Sequence, residues 1–284
     1  MSLLQPEEHD ESRVITGTIN DFSIRAIYLE MYFDNTLLAS GTAFFVDSKK
    51  GPVMITNRHN LTGRHQETNQ PLSLHGGVPN HACFQIIGSH EPFWYAFDLY
   101  TDDDMLTPVW IEHPTYGNQV DVVGILFSEL RNGVYRFIDV KEDWYTWEVA
   151  DQIHVIGYPF GINECMGIWA TGHIASEPAI NYRKLPCFLI DCRTRSGQSG
   201  SVVIARFKPG DMVSYEDKHY IAQKIMTHTL GIYSGRINKD SDLGMVWKTS
   251  IIRDIIKLIE TSKSIIDNKF SPHRFSQLSF DDNC

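Results

Sequence analysis

The stretch Gly197-Gln198-Ser199-Gly200-Ser201-Val202-Val203-Ile204-Ala205 sets a serine between glycines and then runs into apolar, largely β-branched residues. Glycines on a tight turn let a hydroxyl stand clear of the backbone. They also leave room for the amide N–H groups of Gly197 and Ser199 to converge on a developing oxyanion. The run after the turn reads as a strand. A serine delivered at the start of a strand argues against the esterase elbow, in which the serine sits between a strand and a helix. Taken alone the glycine-bracketed serine is weak, because many loops contain one by chance.

Outward from this turn the same rhythm continues. Short β-branched and aromatic runs alternate with Gly, Pro, Asn and Asp, without repeats or low-complexity tracts. Candidate strands are residues 23–33, closed by Asp34-Asn35, then 37–46, 52–56, 93–99, 121–127, 152–157, 187–191, 201–205, 221–233 and 244–247. Such a series suits an all-β sandwich or barrel. One segment departs from it. Over residues 249–268, Ile251, Ile252, Ile255, Ile256, Leu258, Ile259, Ile265 and Ile266 fall at helical spacing with Lys and Glu between them. This reads as a C-terminal helix packed on the β body, and its mixed-charge polar face argues against a membrane-surface helix. Residues 131–148, rich in charge and aromatics, mark the expected boundary. The expected organisation is a first β unit over 14–140, a second over 141–248, the helix over 249–268 and a tail over 269–284.

Composition narrows the partners. With 284 residues and 42% hydrophobic content, the chain suits one large domain or two, at roughly 150 residues per domain. Its 25 Lys and Arg against 35 Asp and Glu give a formal charge of −10, and no basic block appears, so a nucleic-acid partner is not expected. No apolar run approaches the ~18 residues of a membrane span. The N-terminus, with Glu7, Glu8, Asp10 and Glu11, shows no secretory signal. Cys83, Cys165, Cys187, Cys192 and Cys284 are odd in number and lack a CxxC pair. Reduced thiols and a cytoplasmic location are therefore expected.

Two further residues join Ser199. Val53-Met54-Ile55-Thr56-Asn57-Arg58-His59-Asn60 is an apolar strand whose end delivers a histidine. An unperturbed pKa of ~6.5 lets imidazole take a hydroxyl proton and return it at neutral pH. Twelve histidines are present, and position at a strand end singles out His59. Asp121 opens the apolar run 121–127, where a carboxylate needs a partner unless it merely caps the Gly117-Asn118 turn. The chain order His, Asp, Ser is that of one triad architecture. His81 and Cys83 lie close together without further ligands at metal spacing, so no metal site is expected. Trp94, Trp110, Trp144, Trp147, Trp169 and Trp247 read as core and rim aromatics.

These segments resemble the chymotrypsin-fold (trypsin-like) serine peptidases, particularly bacterial trypsin-like peptidase domains. The resemblance covers most of the chain. Gly41-Thr42-Ala43-Phe44-Phe45-Val46 resembles the glycine-led strand before the histidine, and Leu230-Gly231-Ile232-Tyr233-Ser234-Gly235 the strand that pairs with substrate backbone. Gly244-Met245-Val246-Trp247-Lys248 and the isoleucine-rich helix resemble the family's closing elements. The resemblance implies two antiparallel six-stranded β-barrels, with His59 and Asp121 from the first meeting Ser199 from the second. It implies amide hydrolysis of a protein or peptide through an acyl-enzyme, with no metal or organic cofactor. Ser199 would attack, His59 shuttle the proton, Asp121 fix the imidazole, and the Gly197 and Ser199 amides form the oxyanion hole.

The resemblance also implies a substrate pocket walled by residues 191–196 and 233–236. Arg193, Thr194, Arg195, Tyr233, Ser234 and Gly235 are its candidate residues. Three preferences stay open: acidic if Arg193 or Arg195 points in, basic if Asp191 does, and small or medium apolar if all three face solvent. Arg13-Val14-Ile15-Thr16-Gly17 superficially resembles a zymogen cleavage site. Gln198 could not pair with a freed Val14 amine, so residues 14–17 are expected to be plain strand. Ser201 adds a second hydroxyl near the turn, but the glycine bracket favours Ser199. The competing reading is a catalytically silent protease-fold module that binds peptides or a protein partner. A regulatory partner is left open.

Overall fold

The computed structural model describes residues 18–263 and 266, apart from 74, 88–91, 103, 133–134, 163–165 and 239. The expected strand at 14–17 and the tail at 269–284 lie outside the described residues, as do Cys165 and Cys284.

Strand β1 (Ala26–Phe33) turns through Asp34-Asn35 into β2 (Thr36–Val46), with Phe33 opposite Thr36. Asp34 takes a left-handed φ of 50°, which the short polar side chain of an Asp tolerates in such a turn. With β3 (Val53–Thr56), β4 (His81–Ile87), β5 (Pro92–Asp98), β6 (Ile111–Glu112) and β7 (Val123–Leu126) they form an antiparallel half-barrel. Its order is β5-β4-β1-β2-β3-β7-β6. A ring of six strands was expected here; among the described residues the sheet has seven, with β5 and β6 at its two edges.

The second unit does close. Strands β8 (Gln152–Gly157), β9 (Ile168–Ile174), β10 (Cys187–Cys192), β11 (Val202–Phe207), β14 (Met226–Arg236) and β15 (Leu243–Lys248) form a barrel in the order β10-β15-β14-β11-β8-β9. The remaining pair, β12 (Met212–Tyr215) and β13 (Lys218–Ile221), makes a separate hairpin.

A short helix α1 (Arg58–Thr62) follows β3, and α2 (Thr249–Thr261) follows β15. The helix expected over 249–268 thus ends at Thr261. Ile251, Ile252, Ile255 and Ile259 of α2 are buried in a core cluster that takes Val53, Ile55 and Val122 from one unit and Ile204, Ile232 and Trp247 from the other. Each isoleucine buried this way contributes roughly 1.5–3 kcal/mol. Gly124 makes the approach of α2 to β7 possible, since a Cβ there would stand 2.8 Å from Ile255 Cγ2. The helix therefore ties the two units together, which holds the cleft between them in register.

Candidate active site

His59 lies in the first turn of α1, directly after β3, and Asp121 lies just ahead of β7, which pairs with β3. The pairing brings both to one end of the half-barrel. Asp121 is buried, 1% exposed, and both of its carboxylate oxygens accept hydrogen bonds. The His59 backbone N–H, left without an intrahelical acceptor at the helix start, donates to Oδ1 at 2.8 Å. The imidazole Nδ1 lies 2.6 Å from Oδ2, and the Ser234 hydroxyl donates to the same oxygen at 2.5 Å. A carboxylate only accepts, so Nδ1 is the donor, and in the neutral imidazole the lone pair then lies on Nε2. The Asn57 side chain adds a bond to the Asp121 carbonyl at 2.7 Å. These bonds are the partners that a carboxylate at this place needs, and they go beyond a cap on the Gly117-Asn118 turn.

Ser199 stands on the turn before β11. Gly197 and Gly200 have φ of 91° and 93°, a region that favours glycine. Neither has room for a side chain: a Cβ at Gly197 would lie 2.3 Å from the Tyr158 carbonyl oxygen, and one at Gly200 1.8 Å from that of Thr42. The orientation of two amides follows from the carbonyls on the same peptides. The Ser196 carbonyl accepts from Phe160 N–H at 2.6 Å, and the Gln198 carbonyl from Ser201 N–H at 3.0 Å. A trans peptide directs its N–H opposite to its carbonyl. The Gly197 and Ser199 N–H groups thus face away from those bonds, and neither donates to another described residue.

The turn is clamped to the half-barrel by residues that the sequence did not single out. The Thr42 hydroxyl donates to the Gly197 carbonyl at 2.9 Å and accepts from Tyr158 N–H at 3.1 Å. The Ser199 carbonyl accepts from Thr42 N–H at 2.8 Å and from the Asn60 side chain at 3.1 Å. Gly41 admits Asn60, whose Nδ2 would lie 2.7 Å from a Cβ there. Neither Thr42 nor Asn60 carries a sequence signal, because their partners lie more than a hundred residues away. The Ser199 hydroxyl donates to the Ser234 carbonyl at 3.0 Å, not to the imidazole.

His59, Asp121, Ser199, Ser234 and Gly235 all line one cleft of about 900 Å³ between the units. Leu72, Leu185 and Met245 supply apolar wall, and Arg183 pairs with Glu67 from one wall to the other. The other candidate pocket residues do not line it. Arg193 and Arg195 reach Asp242 at 4.0 and 3.9 Å, outside the cleft lining. Thr194 and Tyr233 are buried with their hydroxyls bonded to each other. Ser201 is fully buried and out of the cleft. Gln198 is turned into its own loop, where Oε1 accepts from Arg195 N–H at 2.7 Å. His81 stacks on Tyr32 with ring centroids 5.3 Å apart.

No family model and no curated protein matches the sequence. In three dimensions the chain is similar to a serine endoprotease from Yersinia pestis, with a TM-score of 0.49 and 10% identity over 85% of this chain and 67% of that one. It is similar also to Rv3671c from M. tuberculosis H37Rv, with a TM-score of 0.48 and 14% identity over 86% and 91% of the two chains. The active form of the Rv3671c protease gives 0.47 and 12% over 86% and 84%. At such distances no residue's role transfers, and the site rests on its own geometry.

Proposed function

We propose that the protein is a trypsin-like serine endopeptidase that cleaves protein or peptide chains through an acyl-enzyme. The observation that carries this reading is a buried carboxylate that orients His59 with Nε2 free, in the cleft that Ser199 also lines. In the proposed reaction Ser199 Oγ leaves the Ser234 carbonyl, gives its proton to His59 Nε2 and bonds to the scissile carbonyl carbon. The oxyanion is held by the Gly197 and Ser199 N–H groups. Collapse of the intermediate breaks the C–N bond, and the imidazolium returns its proton to the leaving amine. Water then repeats the sequence on the acyl-enzyme. Asp121 keeps the imidazole in one tautomer and stabilises its cation. Every one of these roles is filled by a side chain or amide of this chain.

One observation favours a second reading, a silent module that binds peptides in the same cleft: the Ser199 hydroxyl is bonded to a carbonyl and not to its base. A hydroxyl is a rotor, and catalytic hydrogen bonds often tighten only when substrate is bound. A fluorophosphonate probe separates the two readings. Covalent labelling mapped to Ser199, lost in Ser199→Ala, is the expected result for the enzyme. Folded protein that stays unlabelled supports the module.

A further inference from the structure

We propose that the ring of Tyr233 fills the space beside Ser199 where the side chain on the acyl side of the scissile bond would lie, so that cleavage follows Gly, Ala or Ser. This rests on the endopeptidase reading and narrows its substrate class.

Gly200 N–H donates to the Tyr233 carbonyl at 2.9 Å, and Tyr233 N–H donates to the Ser201 carbonyl at 2.8 Å. Strand β14 is thus fastened against the Ser199 turn at Tyr233. The next residue along, Ser234, offers the carbonyl that holds the Ser199 hydroxyl. A scissile carbonyl within reach of Ser199 Oγ, with its oxygen at the Gly197 and Ser199 amides, sits over this junction. The side chain next to it points between two walls, the segment running up to Ser199 through Arg193, Thr194 and Arg195, and β14 itself.

That space is occupied. Tyr233 is 2% exposed and Thr194 is fully buried, and their hydroxyls are bonded across the gap. On its other side the ring lies against β15, where a Cβ on Gly244 would stand 2.4 Å from Tyr233 Cε2. Gly244 is therefore the residue type that lets the ring lie flat on the strand. Burial pushes the Tyr233 phenol up to about 12, as a ring sealed from water requires. The two guanidiniums that could have made the space select acidic residues pair outside it with Asp242. On this proposal a substrate side chain longer than a methyl or hydroxymethyl group would meet the Tyr233 ring.

The test uses aminoalkyl diphenyl phosphonates that carry Ala, Phe, Lys or Glu side chains, with a plain fluorophosphonate as control. Ser199 Oγ forms the P–O bond, phenoxide leaves, and His59 takes the hydroxyl proton. The alanine reagent is expected to label Ser199 about 100-fold faster than the other three, the scale at which a filled pocket discriminates. Tyr233→Ala is expected to narrow or reverse the Ala-to-Phe ratio by tenfold or more, each rate taken relative to the same variant's fluorophosphonate labelling. Should that variant fail to melt cooperatively, Tyr233→Val is expected to move the ratio in the same direction. The wild-type ratios test the proposal without any variant. Phenylalanine or lysine reagents that label as fast as alanine overturn the filled space while leaving the enzyme intact. Loss of all labelling, the plain fluorophosphonate included, overturns the endopeptidase reading and this inference with it.

Discussion

On the half-barrel side of the cleft, Asp121 accepts from the His59 amide, the His59 ring and the Ser234 hydroxyl, and the imidazole has one orientation. On the barrel side, the Ser199 backbone is clamped as firmly, by Thr42 and Asn60, while the hydroxyl itself rests on the Ser234 carbonyl. Ser234 belongs to both arrangements: its hydroxyl donates to Asp121 and its carbonyl accepts from the Ser199 hydroxyl. The difference is that the Asp121–His59 pair is fully assembled, whereas the Ser199 hydroxyl is held by a carbonyl and not by the imidazole. Holding a carboxylate out of water without partners is costly, so Asp121 is satisfied permanently. A neutral hydroxyl can exchange one acceptor for another at little cost.

The largest effects should come from removing either half outright. Ser199→Ala is expected to fold as the parent does, because the lost oxygen makes one bond in a cleft. It should lose nearly all peptidase turnover and leave about 10³–10⁴-fold over water from the oxyanion site and binding. Full turnover in the purified variant would place the nucleophile elsewhere. Asp121→Asn should be soluble and lose about 10⁴ in kcat, since an amide can hold the imidazole in the wrong tautomer. Little change would point to another acid. Asp98, paired opposite His81 on β4, and Asp102, which accepts from Leu106 and Thr107 amides, would then be the residues to examine.

What was legible in the sequence has a physical pattern. Strand ends leave marks in a sequence, and the three that deliver His59, Asp121 and Ser199 to one cleft could be read from an apolar run meeting a polar turn. The α2 helix was legible from its isoleucine spacing, although its end was not, since the isoleucines of 265–266 continue the period beyond Thr261. Strand β9 was missed because Gly172 interrupts its pattern. The glycine is there for β10, whose Asp191 carbonyl would lie 2.2 Å from a Cβ. Strand β4 was missed because His81 and Gln85 stand at buried positions that a simple apolar alternation leaves to hydrophobic residues. The clamp by Thr42 and Asn60, and the meeting of Thr194 with Tyr233, depend on which strands become neighbours, and no local pattern encodes that. Ser234 was named as a substrate-side residue, and its bond to Asp121 could not be seen before the barrel and half-barrel were brought together.

Ser234→Ala keeps the carbonyl that holds Ser199 and removes only the hydroxyl on Asp121. One hydrogen bond to a charged group is worth about 1.5–3 kcal/mol, so kcat should fall by roughly 10–100-fold. KM should hold steady, because the lost bond faces the carboxylate and not the substrate. Steady-state kinetics on a single peptide would check this. A fall confined to KM would assign the hydroxyl to substrate binding instead.

The smallest expected effect concerns thiols, which both units carry. Cys83 sits in β4, and Cys187 and Cys192 in β10; all three are free and buried. Burial pushes their thiols up to about 12, about 11 and about 11, because a thiolate loses its hydration there. Cys187 is the informative one, since it contributes to the cleft lining and its Sγ donates to the Tyr182 carbonyl at 3.4 Å. At pH 8 the thiolate fraction at each site is therefore small, and alkylation needs the thiolate. Iodoacetamide should modify these three far more slowly in folded than in denatured protein, with turnover unchanged, as peptide mass spectrometry would record. Dithiothreitol should leave the melting midpoint where it is, since no cross-link among these three constrains the unfolded chain. Rapid alkylation of Cys187 with loss of turnover would show that the barrel side of the cleft opens further than its resting geometry, and that its looser half extends beyond the Ser199 hydroxyl.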